Sequence, residues 1–128
     1  HGVGKDPLIV VVNPNTSIPT DFSIHKKKPL FIKNGLTKDK KRNIPIILDQ
    51  LKFNGIQSLL VEGGGQTIGA FIESEIFDEI NLYLAPKFLG AGIPVYSKIG
   101  NLEDVYNLTI DKVEIFEKDV RIKYFRNW

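Results

Sequence analysis

Leu59-Leu60-Val61-Glu62-Gly63-Gly64-Gly65-Gln66-Thr67 is the stretch on which the fold turns. An apolar run ends in a carboxylate, passes through three glycines and enters a segment whose Ile68, Phe71 and Ile72 fall on one helical face. A buried strand that runs through glycines into a helix is how α/β folds bring backbone N–H groups up to a phosphate. Glycine permits the tight turn and leaves no Cβ in the ligand's path. The helix start adds unpaired N–H donors and the positive end of its dipole, in the crevice beyond the carboxyl ends of the strands. The triplet alone leaves two readings open, a tight strand-to-helix turn and an anion cradle. It has neither the G-x-G-x-x-G spacing of a Rossmann fingerprint nor the G-K-[ST] of a P-loop. Glu62 is open in the same way. A carboxylate closing a buried strand needs a partner. It serves either the helix dipole and a salt bridge, or a polar substrate and its proton.

Upstream, residues 43–54 give the clearest helix. Ile44, Ile47, Leu48 and Leu51 recur at i, i+3, i+4 and i+7, Asn43 is placed to cap, Pro45 falls in the first turn and Gly55 suits a left-handed stop. Residues 58–61 then read as a buried strand. Nearer the front, residues 8–12 are a continuous β-branched run, expected to be a strand buried on both faces. Residues 13–17 follow as an Asx- and proline-rich loop, and residues 29–32 as a second short strand. Downstream, residues 80–85 form a strand ended by Pro86. Residues 108–116 and 120–125 form a hairpin around Glu117-Lys118-Asp119, with Val120, Ile122 and Tyr124 buried and Arg121, Lys123 and Phe125 mostly solvated. The order predicts an α/β domain with a mixed, mainly parallel sheet flanked by helices and an antiparallel C-terminal hairpin.

The 128 residues suffice for one domain with one core and are too few for two ordinary ones. Seventeen basic against 15 acidic residues, spread along the chain, do not predict a nucleic-acid partner. The dense run His25-Lys26-Lys27-Lys28 reads as a solvated loop or an anion patch. No apolar run has the length of a spanning helix, so no membrane role is expected. Without cysteine there is no disulfide framework, thiolate metal site or cysteine nucleophile, and no metal is expected; a cytoplasmic protein fits. The sequence opens on His1 and has no methionine, which predicts residues ahead of it.

The combination of motifs resembles the RibD-type reductase domain of riboflavin biosynthesis, which has a dihydrofolate-reductase-like fold. The residues that carry it are Leu60-Val61-Glu62-Gly63-Gly64, then Phe71-Ile72, Phe77-Asp78-Glu79-Ile80, Leu82-Tyr83-Leu84-Ala85-Pro86-Lys87 and Leu89-Gly90. Asp6-Pro7-Leu8 with Val10-Val11-Val12, and Glu117-Lys118-Asp119-Val120-Arg121-Ile122, are similar to that family's first shared strand and final hairpin. The fit is poor across residues 29–42. The resemblance implies an NADPH-dependent reduction of a ribosylaminopyrimidine 5′-phosphate to its ribitylamino form. It implies that Gly63, Gly64, Gly65, Gln66 and Thr67 cradle the NADPH diphosphate and that Glu62 lies at the substrate as the catalytic group. Asn13 and Thr16 would lie near the adenosine half; the family commonly has aspartate where Asn13 stands. It also implies a homodimer, with Asp78 and Glu79 structural or at a subunit contact. His1, His25, Tyr83, Tyr106 and Trp128 receive no catalytic role.

The front of the family pattern, an S-x-D-G strand, a helix, a G-T element and a D-D-P segment, is absent. The chain is therefore expected to be a single reductase domain over residues 1–128 that lacks N-terminal strands and helices. Residues 32–42 look compressed, as though chain were missing between Ile32 and Arg42. Two other functions compete: a dihydrofolate-reductase-like enzyme acting on another pterin or pyrimidine, and a catalytically inactive binding module of the same fold.

Overall fold

The valine-rich run at the front forms only a short strand, β1 (Val10–Val12), in the computed structural model, which describes residues 6–12, 18–96 and 105–127. Two compact units divide the chain, His1–Leu59 and Leu60–Trp128. In the first, β1 pairs in parallel with β2 (Leu30–Ile32), setting Val10 opposite Leu30 and Val12 opposite Ile32. Burial of residues 8–12 on both faces does not occur: Leu8 is 54% and Val12 43% exposed. A two-stranded ladder covers little of each face, and β-branched composition signals a strand without saying how many neighbours it gains.

The lysine run forms a 3-10 turn, Ser23–Lys27, that ends at Lys28 in the left-handed region with φ 48°. Lys26, Lys27 and Lys28 are exposed, as a solvated loop requires, and Lys27 meets Asp6 at 3.1 Å. His25 is structural, its Nε2 3.2 Å from the Ile18 carbonyl and its ring tilted on Phe31.

Helix α1 (Lys40–Phe53) begins three residues before the expected start at residue 43. Its cap is Asp39, whose carboxylate accepts from the Arg42 N–H at 3.3 Å; Asn43 is not the cap. Asn43 is buried instead, accepting from the Thr37 N–H at 2.7 Å and donating to the Thr37 carbonyl at 2.8 Å. Pro45 consequently sits in the second turn rather than the first, where its missing N–H leaves the Lys41 carbonyl without its i+4 donor. The expected face is the buried one: Ile44, Ile47 and Leu51 join Ile32 as this unit's core. Each contributes about 1.5–3 kcal/mol on full burial. Gly55, at φ 76°, closes the helix in a Schellman motif, its N–H on Lys52 O at 2.9 Å and the Ile56 N–H on Leu51 O at 3.1 Å. Between β2 and α1 the chain turns at Gly35 (φ 75°) and enters the Thr37–Asn43 network, so residues 33–39 form a short, hydrogen-bonded connection.

Residues 58–61 are not the buried strand that their composition predicts. They pair with no strand among the described residues, and Leu60 is 78% exposed. Apolar β-branched composition registers a preference for burial, whereas a strand exists only where another strand supplies the ladder.

The second unit holds α2 (Gly65–Ser74) and a three-stranded antiparallel sheet in the order β3-β5-β4, with β3 Glu79–Leu84, β4 Leu108–Phe116 and β5 Asp119–Arg126. The mixed α/β architecture is thus present, with parallel pairing in β1–β2 and antiparallel pairing extending from the hairpin to β3. The hairpin turns at Glu117 (φ 53°) between Phe116 and Asp119, and a bulge at Asp111 interrupts the β4 register. Val120, Ile122 and Tyr124 are half-buried, and so are Arg121 and Lys123, because β5 is the central strand. Lys123 meets Glu79 at 2.9 Å, Lys112 meets Glu114 at 2.7 Å, and Arg121 is hydrogen-bonded to Glu114. The Lys123 hydrogen bond holds the Glu79 carboxyl below its ordinary range, and Lys112 then Arg121 do the same for Glu114.

Candidate functional site

The glycine segment enters α2 with Gly64 as its cap, in extended backbone at φ −74° and ψ 169°. No side chain caps this end; Thr67 N–H and Ile68 N–H turn back to the Gly64 carbonyl at 2.9 and 3.2 Å. None of the three glycines has positive φ, so what they supply is the missing Cβ and not a special backbone conformation.

Each omits its Cβ for a different reason. At Gly63 an added Cβ would stand 3.0 Å from the Thr67 Cβ, so the turn itself is tight there. At Gly65 it would stand 2.5 Å from the Pro94 carbonyl oxygen and 3.1 Å from that of Val95. At Gly64 it would meet nothing within 4 Å among the described residues. Two of the glycines are therefore demanded by the chain's own packing, and the middle one faces open space.

Gly69 repeats the pattern of Gly65 one turn on, its Cβ direction 3.1 Å from the Tyr96 ring. Gly65 and Gly69, four apart, form a shallow groove on α2 that seats Pro94, Val95 and Tyr96. This segment was missed in the sequence, where the spacing Gly65-x-x-x-Gly69 was the available signal. Tyr96 stacks edge-on with Tyr106 at 6.3 Å. Burial, with Tyr106 and Glu73 close by, pushes its phenol up to about 12, although the hydroxyl completes no well-formed hydrogen bond in the described residues.

Glu62 is exposed, so the desolvation expected of a carboxylate closing a buried strand is absent. It immediately precedes the three glycines that lead into α2. Gln66 and Thr67 are exposed in the first turn of that helix. Asn13 and Thr16 lie outside the described residues. Of the family's acidic pair, Glu79 is held by Lys123 and the Asp78 carbonyl accepts from Arg126 N–H at 3.4 Å, which fits the structural role. Tyr83 stands opposite Arg121 in the β3–β5 register and, with Glu114, raises that guanidinium's affinity for its proton.

A strand-side carboxylate, three glycines and a helix start is a common arrangement, and comparison with known proteins decides which family uses it here. The model of the RibD C-terminal domain matches residues 2–122. The chain belongs to this family. The chain is similar to the riboflavin biosynthesis protein RibD of Aquifex aeolicus, 25% identical over 140 residues that cover 95% of this chain and 39% of that protein. The 2,5-diamino-6-ribosylamino-4(3H)-pyrimidinone 5′-phosphate reductase of Archaeoglobus fulgidus is 35% identical over 52 residues, covering 41% of this chain and 24% of that protein. Among solved structures, Acinetobacter baumannii RibD superposes with TM-score 0.77 at 16% identity, covering 95% of this chain and 38% of that one. The Thermotoga maritima deaminase/reductase superposes at 0.68 and 18%, covering 94% and 31%. These likenesses establish the fold as that of RibD reductase domains. The chain spans less than two fifths of the length of both named relatives.

Proposed function

We propose that this RibD C-terminal domain is an NADPH-dependent reductase that converts a ribosylaminopyrimidine 5′-phosphate to its ribitylamino form in riboflavin biosynthesis. The observation that carries the reading is Gly64. Its backbone is ordinary and no neighbour crowds it, yet it caps a helix start whose amides suit an anion. Among the described residues nothing fills the space a Cβ would take there, which supports a ligand on that side. The names of the Aquifex and Archaeoglobus relatives supply the substrate class.

The residues present fit a diphosphate on the Gly64 side, where a Cβ would stand in its path. On the Gly65 side the Pro94 and Val95 carbonyls already occupy the approach. Gly64, with the backbone N–H groups of Gly65 and Gln66 and the Thr67 hydroxyl, would hold the diphosphate, while Gly63 serves the tight turn that presents them; Asn13 and Thr16 stay assigned to the adenosine end by family resemblance. NADPH, when bound, supplies the hydride for the ribose C1 carbon. Glu62 accepts a hydrogen bond from the opening ribose and holds or moves its proton. The helix start fixes orientation, which is the protein's larger contribution. In this reading residues 1–128 belong to one reductase domain, acting in the cytoplasm as a homodimer on a small molecule. Among the described residues no helix is long and apolar enough to cross a membrane.

Gly64→Val tests the assignment. The valine Cβ meets no protein atom, so the fold should persist with a loss of about 1 kcal/mol for a poorer cap. NADPH affinity, measured by fluorescence titration, should fall at least about tenfold. Native affinity in a folded Gly64→Val protein would remove the diphosphate from this site.

A further inference from the structure

Building on the cofactor reading above, we propose that Arg126 is a positioning residue that fixes the tilt of α2 and so aims the Gly64, Gly65 and Gln66 amides at the other end of the helix, ahead of the Thr67 and Ile68 N–H groups that turn back to the Gly64 carbonyl. The helix ends at Glu75, a non-glycine residue held in the left-handed region at φ 56°. Glycine ordinarily fills that place, because a Cβ is strained there. Arg126, at the end of β5, grips Glu75 twice: Nη1 donates to its backbone carbonyl and Nη2 to Oε2 at 2.6 Å. The Arg126 N–H reaches the Asp78 carbonyl at 3.4 Å, so backbone and side chain of one residue tie the α2 exit to the sheet. The last turn of α2 has no basic residue of its own, and the cation that offsets its negative dipole end comes from β5.

The opposite end of α2 has a different seat. Gly65 and Gly69 lie against Pro94, Val95 and Tyr96 through close backbone and ring contact, with no side-chain hydrogen bond capping the helix. A groove of that kind limits distance and leaves rotation in its plane to be set elsewhere. Ten residues of helix make a rod about 15 Å long, so a tilt of about 10° around one end moves the other by roughly 2.6 Å. Binding donors have to be held within about 0.5 Å to be productive. The forked grip on Glu75 is a directional contact at the exit of α2, and a left-handed glutamate supplies both oxygens it needs where glycine would supply one.

The experiment compares Arg126→Ala, Glu75→Gly and the double variant in the full chain. Arg126→Ala should raise the Kd for NADPH about tenfold. It should also speed amide hydrogen exchange at Gly65, Gln66, Thr67 and Ile68 in the ligand-free protein. Adding Glu75→Gly relieves the left-handed strain, so the double variant should regain melting temperature but not affinity. Affinity returning together with stability would show a purely structural role and overturn the proposal. So would native affinity and exchange in Arg126→Ala. Should that variant fail to fold, Arg126→Lys keeps the charge without the fork and is expected to show the same loss at a smaller size; native behaviour there overturns it equally. Absence of NADPH binding by the unaltered chain would sink the cofactor reading, while exchange at the four amides would still decide the role of Arg126.

Discussion

Three adjacent glycines illustrate how much a single missing methyl can mean. Gly65 faces a backbone carbonyl, which cannot rotate away as a side chain could. Gly65→Ala should therefore cost about 1–3 kcal/mol, as overpacking does. In thermal unfolding that is a fall of several degrees, with Gly64→Ala as the comparison that loses only the roughly 1 kcal/mol of a poorer cap; equal melting temperatures would refute the different roles assigned to them. The candidate residues of the site are nameable from the sequence, because E-G-G-G before a helical period is local information. Which glycine packs against its own chain and which faces open space is not, since Pro94 and Val95 lie some thirty residues away. Glu62 was legible as a functional candidate for an incomplete reason: it was taken as buried, and it is exposed.

Helix α1 shows where local rules succeed and where they stop. The period of Ile44, Ile47 and Leu51 announced the buried face, and Gly55 announced the exit. The entry was misplaced because Lys38-Asp39-Lys40-Lys41-Arg42 offers no apolar mark, and because Asn43 was drawn into the network with Thr37 instead of capping. Asp39→Ala should destabilise by about 0.5–2 kcal/mol through the lost cap, read as a lower urea midpoint. If Asn43→Ala were neutral and Asp39→Ala without effect, the cap would be elsewhere. The strand expected at residues 58–61 failed for a non-local reason: pairing depends on a neighbour that no window of sequence contains.

For the whole molecule, the charges of the three-stranded sheet set how stability follows pH. Glu79 and Glu114 are held below the ordinary glutamate value of 4.5 by lysine and arginine partners. Their contribution is present above that value and is lost as pH falls through their lowered range. Both are well solvated, so the effect should be shallow and weakened by salt. Tyr96 acts on the other limb: raised from 10.0 to about 12, it stays protonated in the fold after the unfolded chain has ionised. Stability should fall as pH rises from 10 towards 12. Denaturant midpoints across pH check both limbs, with Tyr96→Phe removing the alkaline one; a Tyr96→Phe profile identical to the parent would contradict it. The α/β class was visible from the order of elements, whereas the β3-β5-β4 order was not, because it places the last strand between two earlier ones.

That strand order leaves the outer side of β4 without a partner among the described residues, and β4 is the longest strand described. A bare rim of this length is normally a template for other chains to stack on. The extra residue at Asp111 breaks the rim's repeat between Ile110 and Lys112, so a second extended chain could follow it for only a few residues before falling out of step. The bulge at Asp111 thus limits how far along β4 an added strand could pair.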